Sequence, residues 1–266
     1  MSGSITLENR FGVNKMELIS LKYAIFVIVL LVLYYCFPKK YRWYVLLAGS
    51  MAYYVIICKW YVLFIIFTIC TTYGSTIWID KLLKKQNAIV KSHKEDWDRQ
   101  TRKEYKEKGR KKRVAVMLFA LLCNFGILAF LKYIPYAGEL GLLLPLGISF
   151  YTFQSMGYVM DVYREIVEPE KNFLKVALFV SFFPQIIQGP IAIYDKLAGQ
   201  LYEGHSLRLE NLQKGALLVL WGVMKKLVIA DRAVNIINFV MDKPMDFSGT
   251  YVFFAAVVYA LQLYAD

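Results

Sequence analysis

Charge-free apolar runs alternate with short polar stretches along almost the whole chain. No Asp, Glu, Lys or Arg falls within 23–37, 43–58, 60–79, 114–131, 140–160, 176–194 or 247–265. Most of these runs reach the length of a bilayer-crossing helix, about 20 mostly apolar residues. The first two are short, and the aliphatic stems of Lys22 and Lys39 extend them by reaching toward the interface. The pattern predicts an all-α polytopic membrane protein: a single membrane domain over 1–266 with about 6–8 transmembrane or re-entrant helices.

Taken in order, the first helix is expected over about 18–37, after a polar lead. It ends in YYCFPKKYR with no small-residue cleavage site, so it reads as retained rather than as a signal peptide. A second helix runs to Cys58, turns at Lys59, and a third runs to about Ile79. The fourth covers 114–131. The fifth covers 140–160 and ends in Asp161-Val162-Tyr163-Arg164. Residues 209–230 hold too short an apolar core to cross alone and read as a tilted or interfacial helix. The run 247–265 is the last crossing.

Composition supports the membrane class. Hydrophobic residues make up 58% and aromatics 16% of 266 residues, against about 45–50% apolar in soluble domains. The net charge of +12 is concentrated: residues 81–113 hold 14 Lys or Arg against 5 Asp or Glu, a net of +9. This basic loop lies between apolar runs, so the positive-inside rule places it in the cytoplasm. Counting back, Pro38–Arg42 is inside, Lys59 is outside and the N-terminus is outside. The protein is then a multi-pass plasma-membrane protein with the bilayer, and no nucleic acid, as the partner of its charge. Two readings of 81–113 stay open: a solvated loop that sets topology, or a site for acidic lipid or an acidic partner. An amphipathic stretch around Trp97 and Tyr105 is expected to lie on the inner surface as a helix.

Little metal or nucleophile chemistry is visible. Cys36, Cys58, Cys70 and Cys123 sit in or beside apolar runs without a CxxC pair or a nearby His, which indicates neither zinc nor disulfides. His93 and His205 stand alone among polar residues. There is no Walker motif, GxSxG or HExxH.

The stretch 142–190 is the exception to plain anchoring. It carries Pro145, Pro184 and Pro190, Gly147, Gly157 and Gly189, and Gln154, Gln185 and Gln188. Breakers and amides at membrane depth are tolerated where backbone is buried in protein or lines a wet cavity. Pro184 removes a helical hydrogen bond and Gly189-Pro190 interrupts again, so 176–194 is expected as two half-helices, re-entrant or kinked. Interrupted apolar segments point to binding sites; a kink with only a packing role is the alternative.

The segments LPLGISFYTFQSMGYVMDVYR, NFLKVALFVSFFPQIIQGPI and KGALLVLWGVMKKLVIAD resemble the membrane-bound O-acyltransferase family, and most of all its alginate O-acetyltransferase-like branch. Tyr264-Ala265-Asp266 resembles the start of that family's Tyr-x-Asp-Phe-Ser-Gly-Tyr motif. The resemblance implies acyl transfer, acetyl in the first instance, to a cell-surface or exported polysaccharide such as alginate. It implies no bound cofactor, with an acyl thioester (acetyl-CoA or an acyl carrier protein) as donor substrate. As partners it implies a periplasmic or extracellular acyl-transfer protein and a cytoplasmic acyl carrier. The family's signature histidines match neither His93 nor His205, so no catalytic residue is assigned. The chain reads as an N-terminal portion, truncated and inactive alone. Passage-lining candidates are Gln154, Asp161, Tyr163, Arg164, Gln185, Gln188 and Asp266, with Asp161 and Arg164 as a pair. Helix-break candidates are Pro145, Gly147, Pro184, Gly189 and Pro190. Acyl or D-alanyl transfer to teichoic acid or another wall polymer is the nearest alternative. A non-catalytic membrane module or a transporter-like protein is the alternative of another class.

Overall fold

The structure is a computed structural model, and it describes residues 21–93, 97–133, 145–187 and 190–265. Among these residues the protein is all-helical, without a strand. The chain separates into two compact units, 1–205 and 206–266.

In the first unit, helix α1 (Leu21–Cys36) packs on α2 (Arg42–Cys58). The approach is close at Gly49, where a Cβ would collide with the Leu30 side chain. Lys59 takes a left-handed φ of 48°, and a 3-10 turn over Lys59–Tyr61 leads into α3 (Val62–Ser92). Helix α4 (Arg99–Tyr133) returns along α3. The helical run 39–92 and α4 are long and apolar enough to cross a membrane, by length and composition.

Here the structure differs from the expected basic loop. Most of 81–113 is helix: α3 continues 13 residues past Ile79 and α4 starts 15 residues before Val114. Lys, Arg, Gln, Glu and Ala are good helix formers, so the charge change does not end the helices. The two arms pack as a hairpin rather than lying as one surface helix. Gln86 is buried between them and donates to the Lys106 carbonyl at 2.9 Å. Gly109 leaves the room its side chain occupies. Trp97 closes the tip, stacked on His93 at 4.8 Å and against Tyr105 at 5.1 Å.

The core of the unit is α5 (Ile148–Tyr163), packed on α3 and α4, and α6 (Phe173–Ser181), packed on α2 and α3. Every residue from Val176 to Ser181 is buried. Asn172 caps α6 by accepting from the Leu174 amide at 2.9 Å, satisfying an N–H that the helix cannot. The chain breaks at Phe182, forms the short α7 (Phe183–Ile187), and is non-helical over 190–193. It then enters α8 (Tyr194–Tyr202).

The second unit begins with α9 (Leu209–Met224), which passes through a π-helical turn (Lys225–Ala230) into α10 (Asp231–Met241). The helix expected to stop near 230 therefore continues. Lys226 pairs with Asp231 at 4.0 Å across the junction. After a 3-10 turn at Pro244–Asp246, α11 (Gly249–Ala265) runs back along α10. Ala233, Ile237, Val240 and Ala255 are buried in this unit, while Leu217, Leu218 and Trp221 of α9 are exposed within it.

Candidate functional site

The broken segment 173–202 organises the first unit. Were α6 unbroken, the Phe179 carbonyl would accept from the Phe183 amide. The break at Phe182 separates them, and side chains from two neighbouring helices take their places. Gln154 of α5 donates its Nε2 to the Phe179 carbonyl at 2.9 Å. The Phe183 amide donates to Ser50 Oγ of α2 at a long 3.4 Å. In a dry interior an unpaired peptide group is expensive, so the break is held by polar groups placed for it. Pro184 follows in the first turn of α7, where a missing N–H removes nothing.

The segment also returns to the end it left. Trp43 at the start of α2 packs with Leu178 of α6 and Leu201 of α8. The Tyr202 hydroxyl donates to the Lys175 carbonyl at 2.8 Å, tying the end of α8 to the start of α6. Its tip reaches the middle and second half of α2, at Ser50 and Tyr53. There Phe183 meets Phe26 at 5.3 Å and Tyr53 at 5.4 Å. Entry and exit lie together, with non-helical backbone at 182 and 190–193 between them, the geometry expected of a re-entrant path.

The tip rests on the turn that opens α5. Gly147 has φ +70°, and a Cβ there would run into the Ile186 carbonyl. Only glycine takes this backbone without strain while allowing so close an approach. Pro145 is buried just before it and accepts from the Ile148 amide at 3.3 Å. The Tyr54 hydroxyl of α2 donates to the Leu146 carbonyl at 2.8 Å. Tyr151 and the Cys58 thiol adjoin that hydroxyl.

The other end of α5 carries charge. Arg113 of α4, nearly buried, pairs with Glu165 at 2.7 Å. Glu165 itself takes a left-handed φ of 63°. The Tyr158 hydroxyl accepts from the Glu170 amide at 2.8 Å, and its ring stacks on Tyr194 at 4.1 Å. Lys175 lies over the Tyr202 ring at 4.8 Å and 3.7 Å from Glu170. Burial, reinforced by Tyr194, holds the Tyr202 phenol well above its ordinary range.

The residues singled out in the sequence therefore fall at two levels. Gln154, Gln185, Pro145, Gly147 and Pro184 gather around the re-entrant tip, and Pro190 is exposed on the return. The Gln185 Oε1 is buried without a hydrogen-bond partner. Asp161 and Tyr163 are half-buried and Arg164 is exposed at the other end of α5. Asp161 and Arg164 do not pair; the ion pair there is Arg113–Glu165. The carboxylate needed is Glu165, one residue past Arg164, because the αL turn swings it toward α4. Gln188, Gly189 and Asp266 lie outside the described residues. Sequence reasoning missed Ser50, Tyr54, Tyr158, Tyr194 and Arg113. Isolated hydroxyls inside apolar runs were the signal for the first four.

The arrangement supplies hydrogen bonds and shape. Among the described residues no three or more of His, Cys, Asp and Glu gather as a metal site. His93 is at the hairpin tip, and His205 is an exposed loop residue whose amide donates to the Tyr34 hydroxyl at 3.2 Å. A groove of about 580 Å³ between Trp60, Tyr61, Leu63, Phe64, Phe67 and Ile127 offers ring and hydrocarbon surface rather than reacting groups.

Comparison with known proteins finds relatives of two kinds. The chain is 30% identical over 188 residues to a peptidoglycan O-acetyltransferase of Helicobacter pylori, covering 56% of this chain and 36% of that protein. It is 35% identical over 126 residues to a probable alginate O-acetylase AlgI of Pseudomonas syringae pv. tomato, covering 47% and 24%. The corresponding protein of Pseudomonas aeruginosa is 33% identical over 127 residues, covering 47% and 24%. The chain thus spans about a quarter to a third of the length of these curated relatives. No family model and no solved structure matches it. The matches bear out the resemblance to the membrane-bound O-acyltransferase family and its alginate O-acetyltransferase-like branch.

Proposed function

Starting from homology to the membrane-bound O-acyltransferases, we propose that this chain is part of an enzyme that O-acetylates a cell-surface or exported polysaccharide. The carrying observation is that relatives named for two different polysaccharides, peptidoglycan and alginate, share acetyl transfer in their names. A sugar hydroxyl attacks the carbonyl of an acyl thioester, the new O–C bond forms as the C–S bond breaks, and the hydroxyl proton passes to the leaving thiolate. The donor is acetyl-CoA or an acyl carrier protein. An acyl-transfer partner on the outer side and a cytoplasmic carrier complete the route.

The re-entrant segment supports a passage in which donor and acceptor meet. In this reading Gln154 and Ser50 hold the break open. Gln185, whose Oε1 has no partner, and Gln188 line the route, and Asp161, Tyr163 and Arg164 form its cytoplasmic rim. The protein crosses the membrane several times with its N-terminus outside, which agrees with the basic hairpin staying inside. The attacking hydroxyl needs a general base within hydrogen-bond reach, and in this reading neither His93 nor His205 is that base. His93 sits at the hairpin tip, against Trp97, and His205 is in an exposed loop.

Deleting the gene should remove base-labile acetate from one envelope polysaccharide, measured by acetate release after mild alkali. Unchanged acetate in every envelope fraction would overturn the reading. The 266-residue polypeptide purified alone should transfer no acetyl group from acetyl-CoA or an acetylated carrier; turnover would show that a base lies within it.

A further inference from the structure

The helical hairpin distributes its charge unevenly. Residues 81–87 and 108–113 hold eight Lys or Arg and no Asp or Glu, whereas 88–107 holds six against five. The two basic stretches are side by side: Gln86 bonds the Lys106 carbonyl and packs on Gly109, which puts 81–87 beside 106–113. They form a collar at the base of the hairpin, beneath a nearly neutral outer half. Lys81, Lys85, Lys108, Arg110, Lys111 and Lys112 are all exposed. Among the described residues none of them has an ion-pair partner. Lys84 is held by Asp80 and Arg113 by Glu165.

Height decides what this collar meets. The charge-free apolar stretches end at Ile79 on α3 and begin at Val114 on α4. At about 1.5 Å per residue, the collar cations stand within roughly 9 Å of the hydrocarbon edge, and the tip at His93 stands about 20 Å away. The headgroup layer adds roughly 5–7 Å on each face, and charges interact little beyond about 8 Å at physiological salt. The collar is therefore at headgroup depth and the tip is clear of it. A soluble acidic partner would be met first by the outer half, which carries almost no net charge to attract it.

We propose that this collar binds the phosphate headgroups of anionic phospholipids and so fixes the depth of the hairpin in the bilayer. The site is independent of the acyl-transfer reading. Its cations make no use of the re-entrant segment, and binding is read without turnover.

The test uses the full-length protein purified in mild detergent with phosphatidylglycerol or phosphatidylcholine, and counts retained lipid by native mass spectrometry. Wild type should retain phosphatidylglycerol in preference to phosphatidylcholine. A variant combining Lys81→Gln, Lys85→Gln, Arg110→Gln and Lys111→Gln should lose about fivefold or more of the retained phosphatidylglycerol, since juxtamembrane cations act together. A variant combining Lys91→Gln, Arg99→Gln and Lys103→Gln, all farther out on the hairpin, should retain as much as wild type. Raising NaCl from about 50 to about 500 mM should strip the lipid from wild type, an arm that stands if the collar variant fails to accumulate. Equal retention of both lipids, retention indifferent to salt, or equal loss from the outer-half variant would each overturn the proposal.

Discussion

Gln154 on α5 gives its side-chain amide to the Phe179 carbonyl on α6 at 2.9 Å, at the point where α6 stops being a helix. Gln154 is 4% exposed, so water cannot replace it. Gln154→Ala should cost on the order of 1–3 kcal/mol, the usual penalty of a buried group left unpaired. Gln100→Ala, at the exposed hairpin tip, should stay within about 0.5 kcal/mol of wild type. Unfolding midpoints in detergent separate the two. A Gln154→Ala protein as stable as wild type would mean that the break is held by something other than this bond.

Gly147, in the turn that opens α5, and Gly157, within α5, make opposite predictions. Gly147 combines φ +70° with the Ile186 backbone where a Cβ would go, whereas a Cβ at Gly157 meets nothing within 4 Å. Gly147→Ala requires backbone to move as well as an unfavourable φ, and should destabilise by about 2 kcal/mol or more. Gly157→Ala should be neutral or stabilise by up to about 1 kcal/mol, since alanine costs less entropy in a helix. Equal effects in a thermal-shift assay would contradict the contact between the α5 turn and α7.

Much of this was legible in the residues, for reasons that also mark its limits. Proline chemistry announced a break near Pro184, and the break came at Phe182, because proline is accommodated in the first turn of the helix that follows. Charge composition announced where 81–113 would leave the bilayer but not its shape. Lys and Glu say nothing against helix, and only the Gln86–Gly109 fit makes the hairpin. Gln154 stood out as an amide in an apolar run, but its partner is a backbone carbonyl, and sequence does not tell which carbonyl a distant break will free. The Asp161–Arg164 pair was expected from proximity in the chain. The carboxylate that pairs is instead Glu165, whose left-handed turn aims it at Arg113 of α4.

Tyr202 predicts an alkaline limb. Its phenol is raised by burial and donates to the Lys175 carbonyl, so the folded protein holds this proton more tightly than the unfolded chain, whose tyrosines ionise near about pH 10. The resulting stability is fully present below that pH and is lost as pH rises toward the folded value. Melting temperatures of wild type and Tyr202→Phe from about pH 8 to about pH 12 should keep a constant difference up to about pH 10. Above it wild type should fall further. Parallel curves across the whole range would place this phenol in water.

The re-entrant path fixes sidedness without reference to which side is which. The Arg42 guanidinium bonds the His205 carbonyl, Gly204 packs on Lys39, and Arg113 pairs with Glu165. Each contact joins the end of a segment to the same face of the first unit. Lys59 lies at the other end of α2 and α3. Single cysteines replacing Ser92, Glu168 and Glu203 in a background without Cys36, Cys58, Cys70 and Cys123 should therefore share one labelling pattern with a membrane-impermeant thiol reagent. A cysteine replacing Lys59 should show the opposite one. Intact and permeabilised cells then assign the faces, and the orientation proposed above requires Lys59 to label in intact cells. If Glu168 and Glu203 labelled from opposite sides, the segment between them would be a full crossing. The side-chain bonds at Phe179 and Phe183 would then hold a kink and not the tip of a re-entrant loop.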